Sequence, residues 1–258
     1  MPRFAANLSF LFNEVPFLER FALASEQGFK AVEFMLPYEW PADQIRDLLD
    51  THKLELVLFN TAQGNWAGGE RGIAALPGRD AEFDAALEQA LSYAHVLGNK
   101  LIHVMAGLEP KGANTKTFVA NLRRAADRVE ASGVTLVIEP INTRDMPGYF
   151  LNLTRQALDI IADVARPNLG LQFDLYHRHL MEGDVVTGLA DVKGIARHIQ
   201  IASPPDRGEP DHGDLDFKHL LGLIDASGYS GHIGLEYKPR GGTIPGLAWV
   251  KRLGVSFG

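Results

Sequence analysis

The chain contains no cysteine. Disulfide staples, zinc–thiolate centres and thiol nucleophiles are therefore excluded. No window approaches 18 uninterrupted apolar residues, so no membrane-spanning helix is expected. The opening MPRFAANLSF lacks the long apolar stretch of a secretory signal. Basic residues are the minority, 25 Lys and Arg against 32 Asp and Glu, for a formal net charge of -7. A nucleic-acid protein would normally carry a basic face. A small anionic substrate stays open, because a few local Lys or Arg suffice to bind one. Low-complexity segments and long charge runs are also missing. The expectation is a soluble cytoplasmic protein with no nucleic-acid or membrane partner.

What is present is alternation. Strand-like runs cover Phe4–Asn7, Ala31–Met35, Leu54–Asn60, Lys100–Met105, Val134–Glu139, Leu169–Asp174, Ala196–Ile201 and His232–Glu236. Between them the apolar period becomes helical, over Phe17–Gln27, Pro41–His52, Arg79–Leu97, Thr115–Ala131, Thr154–Ala165, Asp184–Val192 and Phe217–Ala226. Gly28, Gly98, Gly133 and Gly228 stand where helices should end. Near-continuous apolar strands alternating with helices imply a parallel sheet covered by helices. A doubly wound sheet would show a glycine-rich first turn, and Asn7–Val15 contains no glycine. The expectation is an α/β chain folded as one (β/α)8 TIM barrel over residues 1–258, a length close to the usual barrel of about 250 residues. Ile244–Leu253 reads as a last helix that closes the barrel bottom or joins a partner. Barrels of this kind often form homo-oligomers, but no patch in the sequence marks an interface.

Four apolar runs stop at an oxygen-bearing side chain: Glu139, Asp174, Gln200 and Glu236. The gaps are 35, 26 and 36 residues, about one strand–helix repeat each. They place four oxygen ligands side by side at the C-terminal rim of the fifth to eighth strands, where barrel sites lie. Any one of these residues alone reads more readily as a cap or an ion pair; four in successive repeats do not. Oxygen-rich ligation favours Mg2+ or Mn2+. Two glutamates facing one another across such an ion can act as acid and base, moving a proton between neighbouring carbons of a keto compound. His177 in DLYH reads as a substrate contact or a cap of the next helix. His103 in KLIHVM reads as interior-facing or as a satisfied core histidine. Arg207, Lys238 and Arg240 lie on the loops after the last two strands and could hold a substrate carboxylate. The glycine-rich loop 61–78 with Trp66 reads as a lid or as a packed insertion. His212 and His219 read as surface residues.

Several strings resemble the hydroxypyruvate isomerase family within the xylose isomerase-like barrel superfamily. They are RFAANLSF, GFKAVEFMLPY, LFNTAQGNWAGGERGIAALPGR, IHVMAG, VIEPIN, QFDLYHRH, HIQIASPPDRGEP and LEYKPRG, spread over nearly the whole chain. The resemblance implies that Glu139 and Glu236 are the catalytic pair, and that Glu139, Asp174, Gln200 and Glu236 bind a divalent metal. It also implies that His177 and Arg207 contact substrate. Related epimerases tend to carry a histidine where Gln200 stands; glutamine suits the isomerase branch. The family interconverts hydroxypyruvate and tartronate semialdehyde, or isomerises the four-carbon acid 2-oxo-tetronate. Short 2-keto acids are thus the expected substrate class. A ketose 3-epimerase, a barrel endonuclease and a non-catalytic sugar-acid binding protein are the competing readings.

Overall fold

Strand runs that are apolar on both faces can be buried only if something covers both, and here helices cover one face while the sheet closes over the other. The structure is a computed structural model and describes residues 2–257. In chain order the first half holds β1 (Arg3–Asn7), α1 (Arg20–Glu26), β2 (Ala31–Glu33), α2 (Ala42–His52), β3 (Glu55–Leu56), β4 (Leu58–Asn60), α3 (Asp80–Leu97), β5 (Leu101–His103) and α4 (Thr115–Val129). Then come β6 (Thr135–Ile138), α5 (Thr154–Val164), β7 (Leu169–Asp174), α6 (Leu175–Glu182), α7 (Val185–Asp191) and β8 (Ala196–Ile201). Last are α8 (Phe217–Ala226), β9 (His232–Leu235), α9 (Thr243–Gly246) and α10 (Trp249–Leu253).

All nine strands are parallel, in the order β3-β2-β1-β9-β8-β7-β6-β5-β4. The two end strands are halves of one extended stretch, interrupted at Val57. Val57 N donates to Val32 O at 2.9 Å and Asn60 N to Met35 O at 2.8 Å, so the continuation of β2 runs along both halves. The sheet therefore closes on itself with eight strand positions, the (β/α)8 barrel expected from the sequence.

Side-chain alternation along each strand divides the interior into layers. Ala5, Ala31, Val57, Leu58 and Val137 form a small apolar cluster inside the barrel. Two residues further along their strands stand Asn7, Glu33, Asn60 and Glu139, all buried. His103 follows partly buried Leu101 in the same way. The barrel is thus apolar below and polar above.

Three expectations are revised. Gln200 is not the last residue of its strand, since β8 runs on to Ile201; its inward direction comes from alternation, not from the strand end. The segment after Asp174 is a helix, α6, which begins at Leu175, ahead of the helix expected at Asp184–Val192. Asp174 itself caps it, accepting from Tyr176 N at 2.8 Å, so His177 lies in the first turn and is not a cap. The C-terminal helix is two short ones, with Trp249 turned inward against Phe4 at 5.7 Å between ring centroids.

Loop 61–78 is half core and half surface. Ile73–Leu76 is buried, while Trp66 is 41% exposed. The anchor is Gly72, whose φ is +103° and where a Cβ would overlap the Met105 carbonyl. Gly72→Ala should therefore cost at least about 2 kcal/mol, lowering the thermal midpoint by roughly 4–8 °C. An unchanged midpoint would show that this anchor is not rigid.

Candidate active site

The four oxygen-bearing residues converge. Glu139 lies one residue past β6, Asp174 ends β7, Gln200 is inside β8 and Glu236 lies one residue past β9. A cavity of about 330 Å³ opens at Glu139 and Glu236, with Asp174 and Gln200 behind its lining. Glu139, Glu236, His103, His177, Arg207 and Lys238 line it, with Phe10, Met35, Met105 and Trp66 as its apolar wall. Arg240 is outside, bound to Glu209 Oε2 at 2.8 Å. His219 is exposed, as expected, but His212 is half-buried and 3.3 Å from Asp211. A groove of about 410 Å³ between α7, β8 and α8 lies apart from these carboxylates.

Glu236 is surrounded by donors. Arg207 Nη2 reaches its Oε1 at 2.5 Å, and Gln200 Nε2 and Asn7 Nδ2 reach its Oε2 at 2.7 and 3.0 Å. Arg207 also lies 3.9 Å from Asp174 and from Asp145, and its guanidinium sits over the rings of Phe10 and Tyr176. Its backbone is left-handed, φ +59°. That conformation costs about 1–3 kcal/mol outside glycine, and these contacts hold it in place.

Glu139 differs: its Oε1 and the Oδ2 of Asp174 are buried without a hydrogen-bond partner. Burial pushes Glu139 well above the ordinary carboxylate pKa, with Glu236 and Asp174 adding to the shift. Burial raises Glu236 to about 8 and Asp174 to about 6, with Arg207 opposing both. Burial also works against the charge of Arg207, but Glu236, Asp174 and Glu139 hold its pKa above the usual value. Burial lowers His103 to about 3, helped by His198, and carries His177 well below its usual value, helped by Arg207. Both histidines are neutral at pH 7.

Glu139, Asp174 and His177 bring ligand atoms within 4.8 Å of one another, a group that could hold a metal ion. Hydrogen bonding distinguishes their roles. Asn142 Nδ2 faces His177 Nδ1 at 2.6 Å, and the amide is fixed that way round because Nδ2 also donates to Asp145 while Oδ1 accepts from Asp145 N. His177 Nδ1 is therefore the acceptor and Nε2 carries the hydrogen. That Nε2–H points toward Asp174 Oδ2 and Glu139 Oε1, 3.7 and 3.8 Å away. In this state His177 offers a hydrogen, not a lone pair.

The sequence reading missed Asn7, Glu33, Gln172, His198 and Asn142. Gln172 donates to Gln200 Oε1 at 2.7 Å and to Glu139. Parity was the available signal: Gln172 is two residues before Asp174, His198 two before Gln200, and Glu33 two after Ala31.

A closed parallel barrel with buried carboxylates, amides and one arginine gathered at the strand ends defines a class of small-molecule enzyme. The sequence profile of the xylose isomerase-like TIM barrel family matches residues 21–253, and the chain belongs to that family. It is 53% identical to the 2-oxo-tetronate isomerase of Cupriavidus necator, over 97% of this chain and 98% of that one. It is 44% identical to the hydroxypyruvate isomerase of Escherichia coli, with the same coverage. A Brucella melitensis structure described as an AP endonuclease of family 2 superposes with a TM-score of 0.95 at 48% identity, covering 98% of this chain and 99% of that one.

Proposed function

We propose that the protein isomerises a short 2-keto acid by passing a proton between Glu236 and Glu139. One observation carries this reading: two buried glutamates line one cavity, both raised by burial, with different hydrogen-bond partners. Arg207, Asn7 and Gln200 donate to Glu236 and oppose the rise that burial gives it, while Glu139 keeps a free buried oxygen. Raised carboxyl groups of this kind can both take up and release a proton near neutral pH. With hydroxypyruvate, Glu236 removes a C3 proton, the O3 hydroxyl proton passes to O2 of the resulting enediolate, and Glu139 delivers a proton to C2 as the C3–O bond becomes the aldehyde; exchange with solvent returns both glutamates to their starting states. The product is tartronate semialdehyde (2-hydroxy-3-oxopropanoate). His177 Nε2–H donates to a substrate oxygen, and Arg207 and Lys238 hold the carboxylate. The four-carbon acid 2-oxo-tetronate is the second reading, favoured by the 53% identical relative and by a cavity roomier than three carbons need.

The donor set fits a divalent ion. Two partnerless buried carboxylate oxygens beside a third carboxylate are costly unless a cation satisfies them. Glu139, Asp174, Gln200 and Glu236 would hold Mg2+ or Mn2+ through oxygen, with His177 left to the substrate. When bound, the ion supplies a Lewis acid that stabilises negative charge on the substrate oxygens.

Purified protein with Mn2+ or Mg2+ should convert hydroxypyruvate or 2-oxo-tetronate, and failure with both acids and both ions would overturn the proposal. Arg207→Lys keeps the charge but loses the planar fork. Its KM should rise about 10- to 100-fold, the equivalent of roughly 1.5–3 kcal/mol for a charged hydrogen bond; an unchanged KM would place the substrate carboxylate elsewhere. The acidic balance of the chain, 25 Lys and Arg against 32 Asp and Glu, speaks against the endonuclease reading. No DNA binding is expected even at low salt.

A further inference from the structure

Within the polar layer, Glu33 and His198 meet at 2.6 Å, both fully buried. The barrel leaves room for them: a Cβ at Gly234 would overlap both carboxylate oxygens of Glu33. Stability alone gives little reason for the pair, since buried polar pairs are often replaceable by apolar side chains without loss, and the layer beneath is apolar already. Its contacts run to the site. Glu33 Oε1 accepts from Gln200 Nε2 at 2.7 Å and from Asn7 Nδ2 at 3.0 Å. Each of those nitrogens gives its other hydrogen to Glu236 Oε2.

The Gln200 amide therefore has both N–H groups engaged by carboxylates. Turning it round would set its oxygen against Glu33 and Glu236. Its oxygen is left facing Gln172 Nε2 at 2.7 Å, with a second lone pair to spare. We propose that Glu33, steadied by His198, is a positioning residue that fixes the Gln200 amide, so that its oxygen and not its nitrogen faces the metal position. The inference rests on the metal reading above.

The test is Mn2+ affinity, measured by calorimetry on the metal-stripped protein. Glu33→Leu removes both acceptor oxygens at similar size and should weaken Mn2+ about 10- to 100-fold, as lost outer partners of metal ligands do. Glu33→Gln keeps an acceptor for Gln200, because the free Nδ1 of His198 lets that ring change tautomer; its affinity should stay within a few-fold of wild type. In a Gln200→Ala background Glu33→Leu should cost nothing further. Wild-type affinity in Glu33→Leu overturns the inference. So does an equal loss in the Gln200→Ala background, or a loss in Glu33→Gln as large as in Glu33→Leu, since either assigns the effect to charge or packing. If the variants do not fold, a structure of the Mn2+-loaded wild type decides: Gln200 Oε1 on the ion with Nε2 still on Glu33 is expected, and a reversed amide overturns it. Absence of Mn2+ binding by the wild type overturns the metal reading itself, a result distinct from all of these.

Discussion

Glu139→Gln and Glu236→Gln are each expected to lower kcat by about 10²- to 10⁴-fold, the usual contribution of a placed acid or base. Glutamine keeps the size and a hydrogen-bonding oxygen but cannot exchange a proton. The two losses have different side effects. Glu236 is the carboxyl group nearest to Arg207, so its replacement leaves a buried guanidinium with only the more distant Asp174 and Asp145, and a loss of stability should accompany the loss of turnover. Glu139 has no such partner, and its variant should fold normally. Because the pair acts as a unit, the double variant should be little slower than the worse single one. Steady-state kinetics check this, and near-normal turnover in either single variant would remove the shuttle.

Metal removal should give the second large effect, visible in stability. The folded pKa of Glu236 is about 8, with Glu139 also raised and Asp174 at about 6. Unfolded glutamate and aspartate titrate near about 4.3 and 3.9. Between those limits the folded chain holds protons that the unfolded chain has released, so stability falls as pH rises from about 4 to about 8. A bound divalent ion takes the place of those protons. At a hundredfold excess over Kd it adds about 2.7 kcal/mol, which corresponds to roughly 5–10 °C in thermal midpoint. Thermal unfolding in EDTA and in Mn2+ at pH 5, 7 and 8.5 tests both parts. The EDTA midpoint should drop with pH and the Mn2+ midpoint should not. A midpoint in EDTA that rises with pH, or no response to any divalent ion, would contradict the electrostatics of the site.

The repeat was legible because each strand run and each helix carries its own apolar period. Leu169–Asp174, Ala196–Ile201 and Phe217–Ala226 have the same bounds in sequence and structure. The rim carboxylates were legible because an acid ending an apolar run stands out. Glu33 was not: in AVEFM apolar residues flank it on both sides, and two of its partners, His198 and Gln200, come from β8. Only barrel closure brings β2 and β8 to opposite sides of one small interior. The helix after Asp174 was hidden for a related reason. One residue ends a strand, caps a helix and faces the site, and the sequence shows no gap between the two elements.

Deuterium incorporation tests the central claim most directly. Hydroxypyruvate and 2-oxo-tetronate, each incubated with the protein and Mg2+ in heavy water, would be followed by proton NMR. The shuttle requires isomerised product carrying solvent deuterium at the reprotonated carbon, lost in Glu139→Gln and Glu236→Gln. Product formed with no solvent deuterium, or with exchange unaffected in both variants, would contradict proton transfer through these two glutamates.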